Sequence, residues 1–175
     1  MVRKILSAKE PSLRQPSKPV GKIDKKIIQI VNDLKETLAT QKDPEGVGLA
    51  APQIGKNLRI FVASYAKTSL VAINPEIVSV GSKLSEASEN KEQLMEGCLS
   101  LPHFYGPLRR ASSITIKYQT SQGQEKVEQF TGFMAQIVQH ELDHLKGVLF
   151  VDKLLEQKES LYKLVGEEWE EVELS

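Results

Sequence analysis

One cysteine, Cys98, is all the thiol chemistry this 175-residue chain has, so no intramolecular disulfide can staple it and a reducing compartment, the cytoplasm, is the expected location. Long apolar runs are missing too. Nothing approaches the roughly 18–20 residues that a membrane-spanning helix requires, and no membrane partner is expected. Excess charge of either sign is absent, since Lys+Arg and Asp+Glu number 23 each. A chain without a global basic field is not expected to bind nucleic acid in a sequence-specific way. The basic N-terminal stretch (Arg3, Lys4, Lys9, Arg14, Lys18) raises an organelle transit peptide as a rival, but Glu10 and Asp24 interrupt it. No repeats or low-complexity tracts appear, and a hydrophobic fraction of 40% suits one domain with a true core.

What the chain does have is His140-Glu141-Leu142-Asp143-His144. Two histidines four apart on a helix project from one face and can grip one metal ion, and the glutamate between them can act as general base. The pattern alone arises by chance on solvated helices. Here Phe133, Met134, Ile137, Val138, Leu142 and Leu145 recur at helical spacing around it, which places it on a core-facing helix. Burying two imidazoles and a carboxylate is costly unless they are paired or hold a metal.

A catalytic tetrahedral site takes three protein ligands and leaves a position open for water. A third histidine in the metzincin arrangement is excluded, because Phe150 stands where it would fall. Glu156, Glu159, Glu167 and Glu168 are available in a charged C-terminal segment that reads more simply as a solvated helix face. Cys98, in Met95-Glu96-Gly97-Cys98-Leu99-Ser100-Leu101-Pro102, follows a glycine and precedes a proline-marked break. A lone cysteine is most often a small buried hydrophobe, yet thiolate is also a suitable soft ligand to complete a Cys-His-His set on zinc or ferrous iron. A third stretch, Gly46-Val47-Gly48-Leu49-Ala50-Ala51-Pro52-Gln53-Ile54-Gly55, lets the backbone approach a ligand closely but lacks the ending of a phosphate loop and the spacing of a dinucleotide fingerprint. Its one uncharged polar side chain, Gln53, is a candidate oxyanion donor, against the plainer reading of a Gly/Ala-rich turn entering a strand.

Asp24 is placed to cap a helix that carries Ile27, Ile28, Val31, Leu34 and Leu38 on one face, and Asp43-Pro44-Glu45-Gly46 reads as a turn. Strands are expected at 58–65, 70–74 and 76–80, with Asn74-Pro75 breaking the last two, and an exposed loop over 81–93. Alternation at 113–118 and 126–130 suggests a hairpin turning around Ser121-Gln122-Gly123, followed by the motif helix at about 133–146 and a final helix at 153–165.

Taken in order, Gly-x-Gly-Leu-Ala-Ala-Pro-Gln, Glu-Gly-Cys-Leu-Ser and Gln-His-Glu-x-Asp-His-Leu closely resemble the three signature motifs of the peptide deformylases. The likeness extends to Ile5-Leu6, Pro11-Ser12-Leu13-Arg14, Ser17-Lys18-Pro19-Val20 and Gly147-Val148-Leu149-Phe150-Val151-Asp152. It implies an α+β fold, with antiparallel β-sheets packed around a central helix carrying the His-Glu-x-x-His motif. One catalytic domain spans 1–166 and an acidic tail 167–175. The implied reaction is metal-dependent removal of the formyl group from the N-terminal formyl-methionine of new polypeptides, with release of formate. Cys98, His140 and His144 are the implied metal ligands; Glu141 is the acid–base residue, and Gln53 with the Leu99 backbone N–H the oxyanion donors. Val47, Gly48, Leu94, Phe133 and Ile137 are candidates for holding the substrate, with ordinary core packing as the alternative for each. The resemblance favours Fe2+ as cofactor, with Zn2+, Ni2+ or Co2+ able to take its place, and formyl-methionyl nascent peptides as partners, met in passing at the ribosome. His103, where many relatives have glycine, is a departure that bears on peptide specificity and is read as a rim residue. The rivals are a metallopeptidase with the same helix motif, a cysteine hydrolase built on Cys98, and a catalytically idle homologue.

Overall fold

A computed structural model describes residues 1–85 and 95–174. After an extended start, helix α1 (Lys25–Ala39) begins at Asp24, whose carboxylate accepts from the backbone N–H groups of Lys26 and Ile27 and so satisfies two of the donors a helix start leaves free. Strands β1 (Gly48–Ala50), β2 (Ile60–Tyr65), β3 (Thr68–Val80), β6 (Ser113–Gln119) and β7 (Glu125–Thr131) form a five-stranded antiparallel sheet in the order β1-β2-β3-β6-β7. A second antiparallel sheet, in the order β4-β5-β8-β9, joins β4 (Met95–Cys98), β5 (Leu101–Pro107), β8 (Leu161–Val165) and β9 (Glu168–Val172). Helices α2 (Gly132–Leu145) and α3 (Phe150–Glu156) complete the α+β fold.

The alternation of side chains along a strand explains why β2 is buried on both faces. Ile60 and Val62 point into a cluster with Val31, Leu34 and Leu38 of α1, whereas Phe61 and Ala63 point into one with Ala135, Ile137, Val138, Leu142 and Leu145 of α2. The sheet is therefore sandwiched between the two helices, and the motif helix lies against its inner face. A third cluster of Cys98, Leu108, Phe150, Leu154 and Leu161 ties the second sheet to α3.

The structure departs from the sequence reading at two places. Asn74-Pro75 does not end a strand: β3 runs through it with a register shift between Ile73 and Glu76, and the bulge absorbs the N–H that proline lacks. The Asn74 amide both donates to Val20 O and accepts from Val20 N, which fastens this bulge to the N-terminal segment. The final helix expected at 153–165 stops at Glu156, and 161–165 form β8 instead. Lys158 adopts a φ of 57°, which breaks the helical path, and Leu161, Tyr162, Lys163 and Leu164 then alternate as a strand. The residues read as an acidic tail contribute β9, with Lys163 opposite Glu170. Most of the exposed loop expected at 81–93, and Leu94 with it, lies outside the described residues.

Candidate active site

Two elements bring the donor atoms together. On α2, Ala135, Val138, Leu142 and Leu145 bury one side of the helix, while His140, Glu141 and His144, all buried, face the second sheet and the cleft. The register between β4 and β5 shifts between Gly97 and Cys98. Beside that irregularity Cys98 Sγ lies 3.3 Å from His144 Nε2, which is 3.1 Å from His140 Nε2. Among the described residues these three form a cluster whose ligand atoms all lie within 4.8 Å of one another. Bonds of ordinary Zn–N and Zn–S length at tetrahedral angles place donor atoms about 3.3 Å (N to N) and about 3.6 Å (N to S) apart, so this soft Cys-His-His set fits one small divalent cation.

A layer of charge behind His140 fixes the orientation of its ring. Glu96 Oε2 lies 2.8 Å from His140 Nδ1, which turns Nε2 of that ring toward the cluster. Arg110 donates to both oxygens of Glu96, from Nε at 2.6 Å and from its Nη2 at 2.7 Å, and to Asp143 at 2.9 Å. Burial alone pushes the Glu96 carboxyl upward, but Arg110 and His140 hold it at about 2. Burial also opposes charge on His140, although Glu96 draws its pKa well above the usual value. For His144, burial and the neighbouring His140 push the pKa well below it. Glu96, Arg110 and Asp143 are not among the candidates that the sequence singles out. The available signal was alternation: Glu96 lies two residues before Cys98, and on a strand that is the same face.

Glu141 stands apart from these ion pairs. Burial pushes its carboxyl up to about 7, with nearby His140 partly opposing, and this is a value suited to a general base near neutral pH. Edge strand β1 passes directly against it, since a Cβ on Gly48 would lie 2.5 Å from Glu141 Oε1. Gln53, 1% exposed, is held at the end of the 3-10 turn Ala51–Ile54. Its Oε1 accepts from Ala50 N at 2.9 Å, which leaves the Nε2 amine facing Ser100 Oγ at 3.1 Å and Cys98 Sγ at 3.6 Å. The extended N-terminal segment braces both loops: Leu6 N donates to Gln53 O and Ala8 N to Ser100 O.

These groups form the floor of a cleft of about 780 Å³, within the size range of small-molecule sites. Of the residues singled out in the sequence, Val47, Gly48, Gln53, Cys98, Leu99, Phe133, Ile137, His140 and Glu141 line it; Leu94 lies outside the described residues. Phe133 is 42% exposed and meets Tyr65, a lining residue the sequence did not indicate, edge to face at 4.7 Å. His103, half-buried, also lines the cleft and has a φ of 69°, a conformation that favours glycine.

Comparison with known proteins converges on one family. Residues 2–160 match the family model described as polypeptide deformylase. The peptide deformylase of Pseudothermotoga lettingae is 44% identical over 152 residues, covering 87% of this chain and 82% of that protein. That of Dictyoglomus thermophilum is 40% identical over 157 residues, covering 90% and 95%. Among solved structures, the peptide deformylase from Thermotoga maritima superimposes with a TM-score of 0.79 at 35% identity, covering 87% of this chain and 97% of that one. The Thermus thermophilus peptide deformylase gives 0.79 at 39% identity, covering 90% and 88%.

Proposed function

The chain belongs to the polypeptide deformylase family, hydrolases that release formate from the formyl-methionine of new polypeptides, and from that premise we propose how its own residues divide the work. Cys98, His140 and His144 hold the metal on which the family depends, and Fe2+ is the cellular ion, with Zn2+, Ni2+ or Co2+ as substitutes. When bound, such an ion lowers the pKa of a coordinated water from 15.7 toward about 7 and polarises the formyl oxygen. Glu141 accepts the attacking water's proton and returns it to the leaving amine. Negative charge develops on the formyl oxygen as the carbon becomes tetrahedral. The Gln53 amine and the Leu99 backbone N–H donate to it there. Val47, Phe133 and Ile137 receive the methionine side chain, with Leu94 as a further candidate, and Gly48 on edge strand β1 pairs with the peptide main chain.

The observation that carries this reading is the convergence of Cys98 Sγ and the two histidine Nε2 atoms at a cleft that Glu141 also lines. A peptidase built on the same helix motif leaves Cys98 without a task. Residues 1–166 constitute the catalytic domain, to which 167–175 add β9. The substrates are formylated nascent chains, met transiently at the ribosome in the cytoplasm. No described helix is long and apolar enough to cross a membrane. A chelator is expected to abolish formate release from formyl-Met-Ala-Ser, and anaerobic Fe2+ to restore it. Turnover that persists in protein free of metal contradicts the assignment.

A further inference from the structure

The hairpin β8–β9 lies beyond the residues matched to the family model, yet it is built into the sheet that carries Cys98. β8 pairs with β5 at Tyr105↔Tyr162, and β9 pairs with β8 at Leu164↔Trp169. Tyr105 sits opposite Gly97 across β4 and β5, and its ring occupies the space a side chain at 97 would need: a Cβ there would lie 2.6 Å from the ring. Trp169 closes the flank, meeting Tyr105 edge to face with centroids 5.4 Å apart and an interplanar angle of 85°. Tyr105 lines the cleft, as do Gly97, Leu99 and His103. Burial, with the Asp43 carboxylate in the turn after α1, raises its phenol above the ordinary range.

Substrate direction follows from where the chemistry sits. The formyl group must reach the floor at Cys98 and Glu141, and the peptide beyond its methionine must leave past the outermost strands of the two sheets among the described residues, β1 on one side and β4 on the other. On the β4 side that path passes Gly97, and Tyr105 stands over it. We propose that Tyr105 and Trp169 form an aromatic rim that receives an apolar side chain at the second or third residue of the formylated peptide. Tyr105 makes the contact. Trp169 is a positioning residue that acts through it, so the C-terminal hairpin sets peptide preference. An apolar or aromatic substrate side chain suits this rim because aromatic faces and edges favour such neighbours. Trp169 itself is 39% exposed, so its indole serves chiefly as a flank for Tyr105 and contributes little to a core.

The inference rests on the deformylase reading, and one experiment separates the two. Formate release is measured for formyl-Met-Leu-Phe and formyl-Met-Gly-Gly, and the ratio of their kcat/KM values is compared across variants. Trp169→Ala is expected to lower the ratio about three- to tenfold, mainly through KM for the apolar peptide, while Trp169→Phe retains it. A ratio that Trp169→Ala leaves unchanged, or an equal loss on both peptides, overturns the rim and leaves the hairpin a purely structural element. If Trp169→Ala does not fold, Tyr105→Leu decides: its ratio must fall toward one, and an unchanged ratio overturns the proposal. Failure of the wild-type protein to release formate from either peptide contradicts the deformylase reading instead.

Discussion

Gln53 shows how a neutral residue becomes a specific tool when its surroundings leave it no other use. With Oε1 fastened to Ala50 N, the amide can only present its amine toward Ser100 and Cys98. Gln53→Ala is therefore expected to keep its metal while turnover falls by about 10²–10³, the effect of losing one oxyanion donor. Metal analysis beside steady-state kinetics checks it, and unchanged turnover removes Gln53 from the mechanism. Gly48 has the opposite role, since its value is the absence of a side chain. A methyl group there collides with Glu141 Oε1 and also comes within 3.0 Å of Ile137 Cγ2. Gly48→Ala is expected to fold but to lose activity by about 10², the scale associated with displacing a reacting group by an ångström. The grouping of Cys98, His140 and His144 was suggested by the sequence, because His-x-x-x-His spacing and a glycine-flanked cysteine each carry their own chemical reason. Arg110 was not. Nothing in Arg109-Arg110 distinguishes the arginine that reaches Glu96 and Asp143 from its exposed neighbour, and only folding brings β4 and α2 to either side of it.

Elements meet through such charged side chains. Arg110 joins β4 to α2, and its loss leaves Glu96 free to turn away from His140 Nδ1. Arg110→Ala is expected to weaken metal affinity about 10–100-fold, the usual consequence of removing support behind a metal-binding histidine. Competitive titration with a chromophoric chelator measures it. At the far side of the sheet, Asp33 on α1 holds the N-terminal segment. Burial works against its carboxylate, but hydrogen bonds from the Met1 ammonium, Gln29 and Arg3 keep its pKa at about 2, below the ordinary 3.8. A folded-state pKa lower than the unfolded one stabilises the protein fully above about pH 4, and that contribution disappears as the pH falls through about 2. Asp33→Asn is expected to flatten the loss of thermal stability across that window, read as Tm against pH. The element boundaries were less legible than the site. Asn74-Pro75 looks like a break to any local reading, and it takes the amide pairing with Val20 and the register shift against β6 to carry β3 through it.

At the scale of the whole molecule, the two sheets and α2 bring three distant stretches of sequence to one point. Residues near 50, near 98 and near 140 share a cleft because β1 is the edge of one sheet, β4 the edge of the other, and α2 runs behind both. The α+β class, implied by the resemblance to the deformylases, agrees with strand alternation at 113–118 and 126–130 and with the apolar period of the helix at about 133–146. The second sheet had no such signal, since its strands are short and two of them come from a Glu-rich segment whose composition suggests a solvated end. Its partners, Tyr105 and Trp169, lie 64 residues apart in sequence and 5.4 Å apart in space. The central claim is that a metal held by Cys98, His140 and His144 and a proton moved by Glu141 together cleave the formyl amide. Formate release from formyl-Met-Ala-Ser by anaerobically purified protein tests it most directly, with metal content read on the same sample and Glu141→Gln run in parallel. The account predicts one metal per chain in both proteins and formate from the wild type alone. Undiminished formate release by the metal-loaded Glu141→Gln variant, or none from metal-loaded wild type, would contradict it.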